Sequence, residues 1–346
     1  MKAAVTIEPG QMELRELQSP HLGADEVLVE VSAVGLCGSD VHLYKGEHPY
    51  VRFPRVQGHE FSGRVAATSP GYDGPLQPGD LVAVEPLRPC GKCFACRRGY
   101  PNCCALLEVM GAHFDGALAE QVVVPASSCC LVSDLGPELG ALVEPVSIGL
   151  QAVVRSSARP GDQVLVLGAG PIGQAVTLCA VDRGAEVMVV DRLANRLELA
   201  QRLGARETVD VSTAQLHEAV VAWTRGDGPA VVVDATGVPT LVRQAVDEVA
   251  PSGTVVIVGL SQGQVSLPVL DFTRKELNVL GSRNNNGLFG AAADVVRRNR
   301  DLVAQLVTHR FGLEECSRAI ELLRDHPEQA EKVLVIVNEQ EGEEAQ

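Results

Sequence analysis

Apolar residues recur along this chain in two rhythms, and the change between them marks two kinds of structure. Short apolar runs at 27–31, 63–67, 81–84 and 121–124 are cut by Pro78-Gly79, Pro89, Pro125 and Gly136-Pro137. Runs of this length between turn residues predict the strands of a barrel-like or sandwich-like unit over residues 1 to about 148. From about 149 to 285 the rhythm changes. Residues 164–167 are apolar throughout, as in a parallel strand buried on both faces, and a helical stretch follows to Arg183. The spacing then predicts a strand at 186–190, a polar helix at 194–203, strands at 231–234 and 254–258, and a helix at 239–249 between them. Strands alternating with helices imply a parallel sheet with right-handed crossovers, so the class is α/β. Residues 286–337 predict helices and a last strand at 333–337.

Length and composition narrow the classes. At roughly 150 residues per domain, 346 residues make two domains. A hydrophobic fraction of 46% with 21% charged residues excludes disorder for the body of the chain. The net charge of −15 repels a phosphate backbone and argues against nucleic acid. Part of that charge sits in a terminal cluster, Glu339, Glu341, Glu343 and Glu344, which reads as a solvated end. After Met1 and Lys2 the apolar run is only Ala3 to Ile7, so no secretory signal is expected. The longest apolar stretch, 164–181, is broken by Gly168, Gly170, Pro171, Gly173 and Gln174 and is no membrane helix. The expected location is therefore cytoplasmic, where thiols stay reduced. The ten cysteines are read first as metal ligands or catalytic groups.

Three motifs carry chemistry. Gly168-Ala169-Gly170-Pro171-Ile172-Gly173 follows a predicted strand and opens a predicted helix, the context a dinucleotide needs. Gly168 makes the tight turn, Gly170 lets a pyrophosphate approach the backbone, and Gly173 permits close helix–strand packing. The helix N-terminus, starting at Pro171 and Ile172, then faces the pyrophosphate with free N–H groups. Asp191 follows Gly173 by eighteen residues; its carboxylate suits ribose hydroxyls and repels a 2′-phosphate, favouring NAD over NADP. Arg192 beside it would soften that preference, and Arg196 is placed near the adenine.

The second motif is Cys90-x2-Cys93-x2-Cys96-x7-Cys104, whose short spacings let four thiolates close a structural zinc site. Cys103 is expected to point away, while Cys129, Cys130, Cys179 and Cys316 read as small buried hydrophobes. The third is dispersed: Cys37 in Gly-Leu-Cys-Gly-Ser-Asp, His59 in Gly-His-Glu, and Glu144 in Val-Glu-Pro. A thiolate, an imidazole and one or two carboxylates with an open position describe a catalytic zinc. By spacing alone each has a second reading: a buried thiol, a satisfied histidine, a helix-start acid.

Taken in order along essentially the whole chain, these motifs resemble the zinc-dependent medium-chain dehydrogenase/reductase superfamily, in its sorbitol, polyol, L-threonine and sugar-acid dehydrogenase branch. Glu144-Pro145 stands where the liver-alcohol-dehydrogenase type has a second cysteine. Gly281-Ser282-Arg283-Asn284 and Val307-Thr308-His309-Arg310-Phe311 are similar to bacterial sugar-acid and polyol members. The resemblance implies a GroES-like β-rich catalytic domain, formed from 1–148 and 286–346, around an inserted Rossmann doubly wound NAD domain at 149–285.

It also implies roles. Cys37 and His59 would hold the catalytic zinc, with Glu60 a third or exchangeable ligand and Glu144 binding the metal or its water. Ser39 and His42 match the family's proton relay. Asp40 is a candidate for orienting His59, or for a salt-bridge or turn role. Thr236, Gly259, Ser282 and Arg283 are further cofactor candidates, Arg283 for the substrate as well. Two zinc ions per chain and NAD are the implied cofactors, and a homodimer or homotetramer the implied assembly. The implied reaction is hydride transfer between a secondary alcohol and NAD. Few aromatics (3%) and a carboxylate near the metal favour a polyol, sugar acid or cyclitol, with an aminocyclitol or L-threonine-type amino alcohol as the alternative. Inert superfamily members lack the catalytic cysteine and the four-cysteine lobe, and this chain has both.

Overall fold

Strand Glu26–Leu36 alternates at first, with Val27, Val29 and Val31 inward and Glu30 outward, and is buried from Val31 to its end. That change of pattern marks where it stops being an outer strand and becomes the spine of a sheet. In the computed structural model, which describes residues 1–47 and 51–338, it lies between Glu60–Thr68 and Lys332–Ile336 and also pairs Gln121–Pro125. The sheet order is Cys129–Leu131, Leu81–Val84, Glu60–Thr68, Glu26–Leu36, Lys332–Ile336, Val307–Gly312. Register here decides function. Gly35 stands opposite Glu60 and Leu36 opposite Val333, so Cys37, Glu60 and Lys332 emerge at one end of three adjacent strands. A Cβ on Gly35 would overlap the Glu60 carboxylate, which explains the glycine. Val27, Val29, Val31, Phe61, Val82, Val84, Val333 and Val335 form the core beneath.

The chain divides into two compact units, Met1–Glu144 with the chain from Phe289 onward, and Pro145–Leu288. The second unit carries six parallel strands in the order Glu207–Asp210, Glu186–Asp191, Gln163–Leu167, Val231–Asp234, Thr254–Ile257, Asn278–Gly281. This is the doubly wound order, with its reversal between Gln163–Leu167 and Val231–Asp234, where open sheets bind ligands. Val164 to Leu167 and Val231 to Asp234 are wholly buried, as strands covered on both faces must be.

The expected α/β class, a β-rich unit with a doubly wound parallel sheet, is the observed one. Unforeseen elements are the hairpin Lys2–Glu8 with Gln11–Glu16, the edge strands Glu207–Asp210 and Asn278–Gly281, and Val307–Gly312. Helix Val143–Ser156 runs continuously through the residues where the boundary at 148 was expected. No helix among the described residues is long and apolar enough to cross a membrane. The acidic cluster Glu339 to Glu344 lies outside the described residues.

Candidate functional site

Cys37 closes the central strand and precedes the short helix Gly38–Tyr44. Asp40, three residues on, turns its carboxylate back to accept the Cys37 N–H at 2.9 Å, satisfying a donor that a helix start leaves open. The same carboxylate accepts Gly58 N–H at 3.4 Å and lies 3.6 Å from Nδ1 of His59. It is fully buried. His59, 12% exposed, therefore presents Nε2 to the other side, 3.4 Å from the Ser39 hydroxyl. One donor atom each of Cys37, His59 and Glu60 lies within 4.8 Å of the other two. Tetrahedral ligands about 2.0–2.3 Å from one ion stand roughly 3.3–3.8 Å apart, so a dication fits after small rotations.

Electrostatics favour the same conclusion. Burial works against a charged His59, but Asp40 and then Cys37 outweigh it and raise its pKa well above the usual value. Burial, and then the Glu60 charge, push Glu144 up to about 7. Glu144 heads helix Val143–Ser156 and is not one of the clustered trio. So many donors around one point call for a positive partner. The structure supplies one that the motifs did not indicate: Lys332, 2% exposed, donates to both Glu60 oxygens at 2.8 and 2.7 Å and to Leu36 O at 3.3 Å. Burial opposes its charge, yet Glu60 and Cys37 raise its pKa. A lysine opening an apolar strand gives no signal in sequence, because only the strand pairing brings it to Glu60. His42 faces solvent with Nδ1 2.9 Å from Glu47.

The four thiols of Cys90, Cys93, Cys96 and Cys104 also cluster within 4.8 Å. The N–H groups of Cys96 and Ala105 pull Cys93 down to about 6, while lost hydration and the neighbouring thiols push Cys96 up to about 12. Four thiolates cannot share this space without a cation, which is what a closed zinc site provides. Cys103 is exposed beside them.

In the second unit, Gly168 has φ +95° and starts the turn after Gln163–Leu167. A Cβ on Gly173 would overlap Gly168 O. On Gly170 it would meet only the Arg196 guanidinium, at 3.6 Å, so that glycine leaves open space over the loop. Gly170 also gives helix Pro171–Asp182 no side-chain cap, which leaves the N–H groups around Ile172 for an anion. Asp191 Oδ2 accepts Ala169 N–H at 2.7 Å, and Oδ1 accepts Arg192 N–H at 2.7 Å and Leu193 N–H at 3.0 Å. A carboxylate has about four acceptor sites, so a ribose would share Asp191 with these three donors. Arg192 and Arg283 are exposed. Thr236 donates to the buried Asp234, which also binds Gly237 N–H and orders the loop beside Gly259. Ser282 Oγ is buried with no hydrogen-bond partner, a polar atom left for a ligand.

Comparison with known proteins gives the following matches. A family model described as alcohol dehydrogenase GroES-like domain matches residues 23–134, and one described as zinc-binding dehydrogenase matches 171–299. The chain is 33% identical over 313 residues to the L-galactonate-5-dehydrogenase of Escherichia coli, covering 90% of this chain and 92% of that protein. It is 31% identical over 345 residues to the sorbitol dehydrogenase of Bacillus subtilis, covering 98% of each. The crystal structure of an Escherichia coli alcohol dehydrogenase complexed with cofactor NADH superposes with a TM-score of 0.90 at 33% identity, covering 97% of this chain and 99% of that one.

Proposed function

The chain belongs to the zinc-dependent medium-chain dehydrogenase/reductase superfamily, and from that premise we propose that it oxidises a secondary alcohol of a polyol, sugar acid or cyclitol with NAD. The observation that carries this reading is the clustered trio Cys37, His59 and Glu60 with Asp40 behind the imidazole. Those three residues would hold the catalytic zinc, with the Glu144 carboxylate next to them, and Cys90, Cys93, Cys96 and Cys104 would hold a structural one. When bound, the catalytic zinc supplies Lewis-acid polarisation of the substrate hydroxyl. NAD supplies the hydride acceptor, and the uncapped helix start at Gly170 with Asp191 would hold it.

The remaining work falls to side chains. Asp40 fixes the ring of His59 by facing Nδ1. Ser39 Oγ, 3.4 Å from the same imidazole, would take the substrate proton. His42, three residues on along the same helix and 64% exposed, would be the solvent-side member of such a proton relay. The carboxylates of Glu60 and Glu144 make the site polar, which suits a substrate with several hydroxyls; the L-galactonate and sorbitol relatives point the same way.

The test is NAD reduction across polyols, aldonic acids, cyclitols, amino alcohols and simple primary alcohols. Turnover is expected with the hydroxyl-rich secondary alcohols, and activity confined to primary alcohols overturns the substrate reading. Asp191→Ala is expected to weaken NADH binding about 10–100-fold, since a hydrogen bond to a charged acceptor contributes about 1.5–3 kcal/mol. NADPH should lose less, because the repulsion of its 2′-phosphate goes too. Fluorescence titration with both nucleotides measures this, and unchanged NADH affinity would remove Asp191 from the ribose.

A further inference from the structure

Gln57 and Thr6 are buried polar side chains, 1% and 0% exposed, to which no motif assigned a role. Burying an amide is costly unless every polar atom finds a partner. Here each does: Thr6 Oγ1 donates to Gln57 Oε1 at 2.6 Å, and Gln57 Nε2 donates to the Asp40 carbonyl at 2.8 Å. The amide is not needed to hold its own segment. Val56 O, Gln57 O and Gly58 O already accept N–H groups of Gly116, Leu118 and Ala117 at 2.8, 2.9 and 3.0 Å. An apolar residue at 57 would sit on that backbone equally well.

What the amide adds is a hold on Asp40. Helix Gly38–Tyr44 has seven residues, too few to persist unaided. Its far end is tied by Tyr44, which exchanges two bonds with Gly10: the hydroxyl to Gly10 O at 2.6 Å and Gly10 N–H to Tyr44 O at 2.7 Å. Its first turn is tied by Gln57. Asp40 in turn accepts Cys37 N–H and Gly58 N–H and faces His59. Cys37 and His59, twenty-two residues apart in sequence, are thereby fixed to one carboxylate whose backbone Gln57 pins.

We propose that Thr6 and Gln57 are positioning residues of the metal centre, setting the separation of Cys37 and His59 through Asp40. The proposal rests on the reading that Cys37 and His59 hold zinc. Gln57→Glu keeps the acceptor for Thr6 but turns an oxygen toward the Asp40 carbonyl; Gln57→Leu removes both bonds. Thr6→Val removes the hydroxyl and Thr6→Ser restores it.

The experiment follows zinc release from the purified protein to a chromogenic chelator. The equivalent belonging to the Cys37–His59 centre is identified as the one missing from His59→Ala. For both Gln57 variants that equivalent is expected to leave about 10-fold faster, the lower end of what removing an outer-shell partner of a metal ligand costs. Thr6→Val should speed it less and Thr6→Ser not at all, while the four-cysteine equivalent leaves at the wild-type rate in all four. Wild-type release in both Gln57 variants, or equal acceleration of both equivalents, overturns the proposal. Should the Gln57 variants not fold, Thr6→Val releasing like Thr6→Ser overturns it alone. A wild-type protein that holds zinc only at the four cysteines overturns the metal reading itself, and the brace with it.

Discussion

Lys332→Met is expected to destabilise the metal-free protein by about 3–5 kcal/mol, because it leaves the Glu60 carboxylate buried without its cation. Side-chain exposures of 2% and 1% put both partners out of reach of water. Lys332 spans both Glu60 oxygens, and among the described residues no other side chain forms an ion pair with them. Methionine fills the volume of the lysine stem, so the loss is electrostatic rather than a cavity. For a unit of about 150–250 residues this corresponds to a fall in Tm of roughly 6–20 °C. Glu60→Leu combined with Lys332→Met should recover most of the loss, since a well-packed apolar pair often replaces a buried ion pair at little cost. Calorimetry on the three proteins measures this. A single variant within about 0.5 kcal/mol of wild type would mean that Glu60 is satisfied by something other than Lys332.

The same ion pair shows what sequence could and could not reveal. Strands built on an unbroken run of three or four apolar residues, such as Gln163–Leu167, Val231–Asp234 and Thr254–Ile257, are legible within a residue or two, because such short runs between turn and helix signals suit a sheet covered on both faces. Edge strands are not. Glu207–Asp210 and Asn278–Gly281 face solvent on one side and carry polar residues accordingly. The cysteine cluster and the glycine loop are legible because their chemistry is local, with the ligands or turn residues packed into a few positions. The Cys37 centre is assembled by strand register instead. Gly35 opposite Glu60 and Leu36 opposite Val333 bring Cys37 together with Lys332, 295 positions away, so residue types and spacing left its ligands with two readings, resemblance chose between them, and Lys332 gave no signal at all. Gln57 escaped for a related reason: a glutamine before Gly-His-Glu reads as a surface residue until the first strand and the short helix close over it.

His59→Ala is expected to reduce turnover by well over about 100-fold, the upper cost of losing an outer-shell partner of a metal ligand. His59 is a ligand candidate rather than a partner of one, and it would supply the only imidazole in the trio. Truncation leaves Cys37 and Glu60, and Glu60 is already engaged by Lys332. It also removes the group that Asp40 orients, while Asp40 keeps its backbone donors from Cys37 and Gly58. The strand end should therefore stay in place as the metal is lost. Three measurements on one variant separate this from unfolding. Zinc content should fall by one equivalent per chain, with the four-cysteine equivalent retained. NADH affinity should be unchanged, because the glycine loop and Asp191 belong to the other unit. Far-ultraviolet circular dichroism should match wild type. Asp40→Asn gives the intermediate case: it removes the charge facing Nδ1 but keeps an acceptor for one backbone N–H, and about a 10–100-fold loss is expected. If His59→Ala retained full zinc and near-normal turnover, the catalytic metal would have to lie elsewhere, and Asp40 would be only the cap of a short helix.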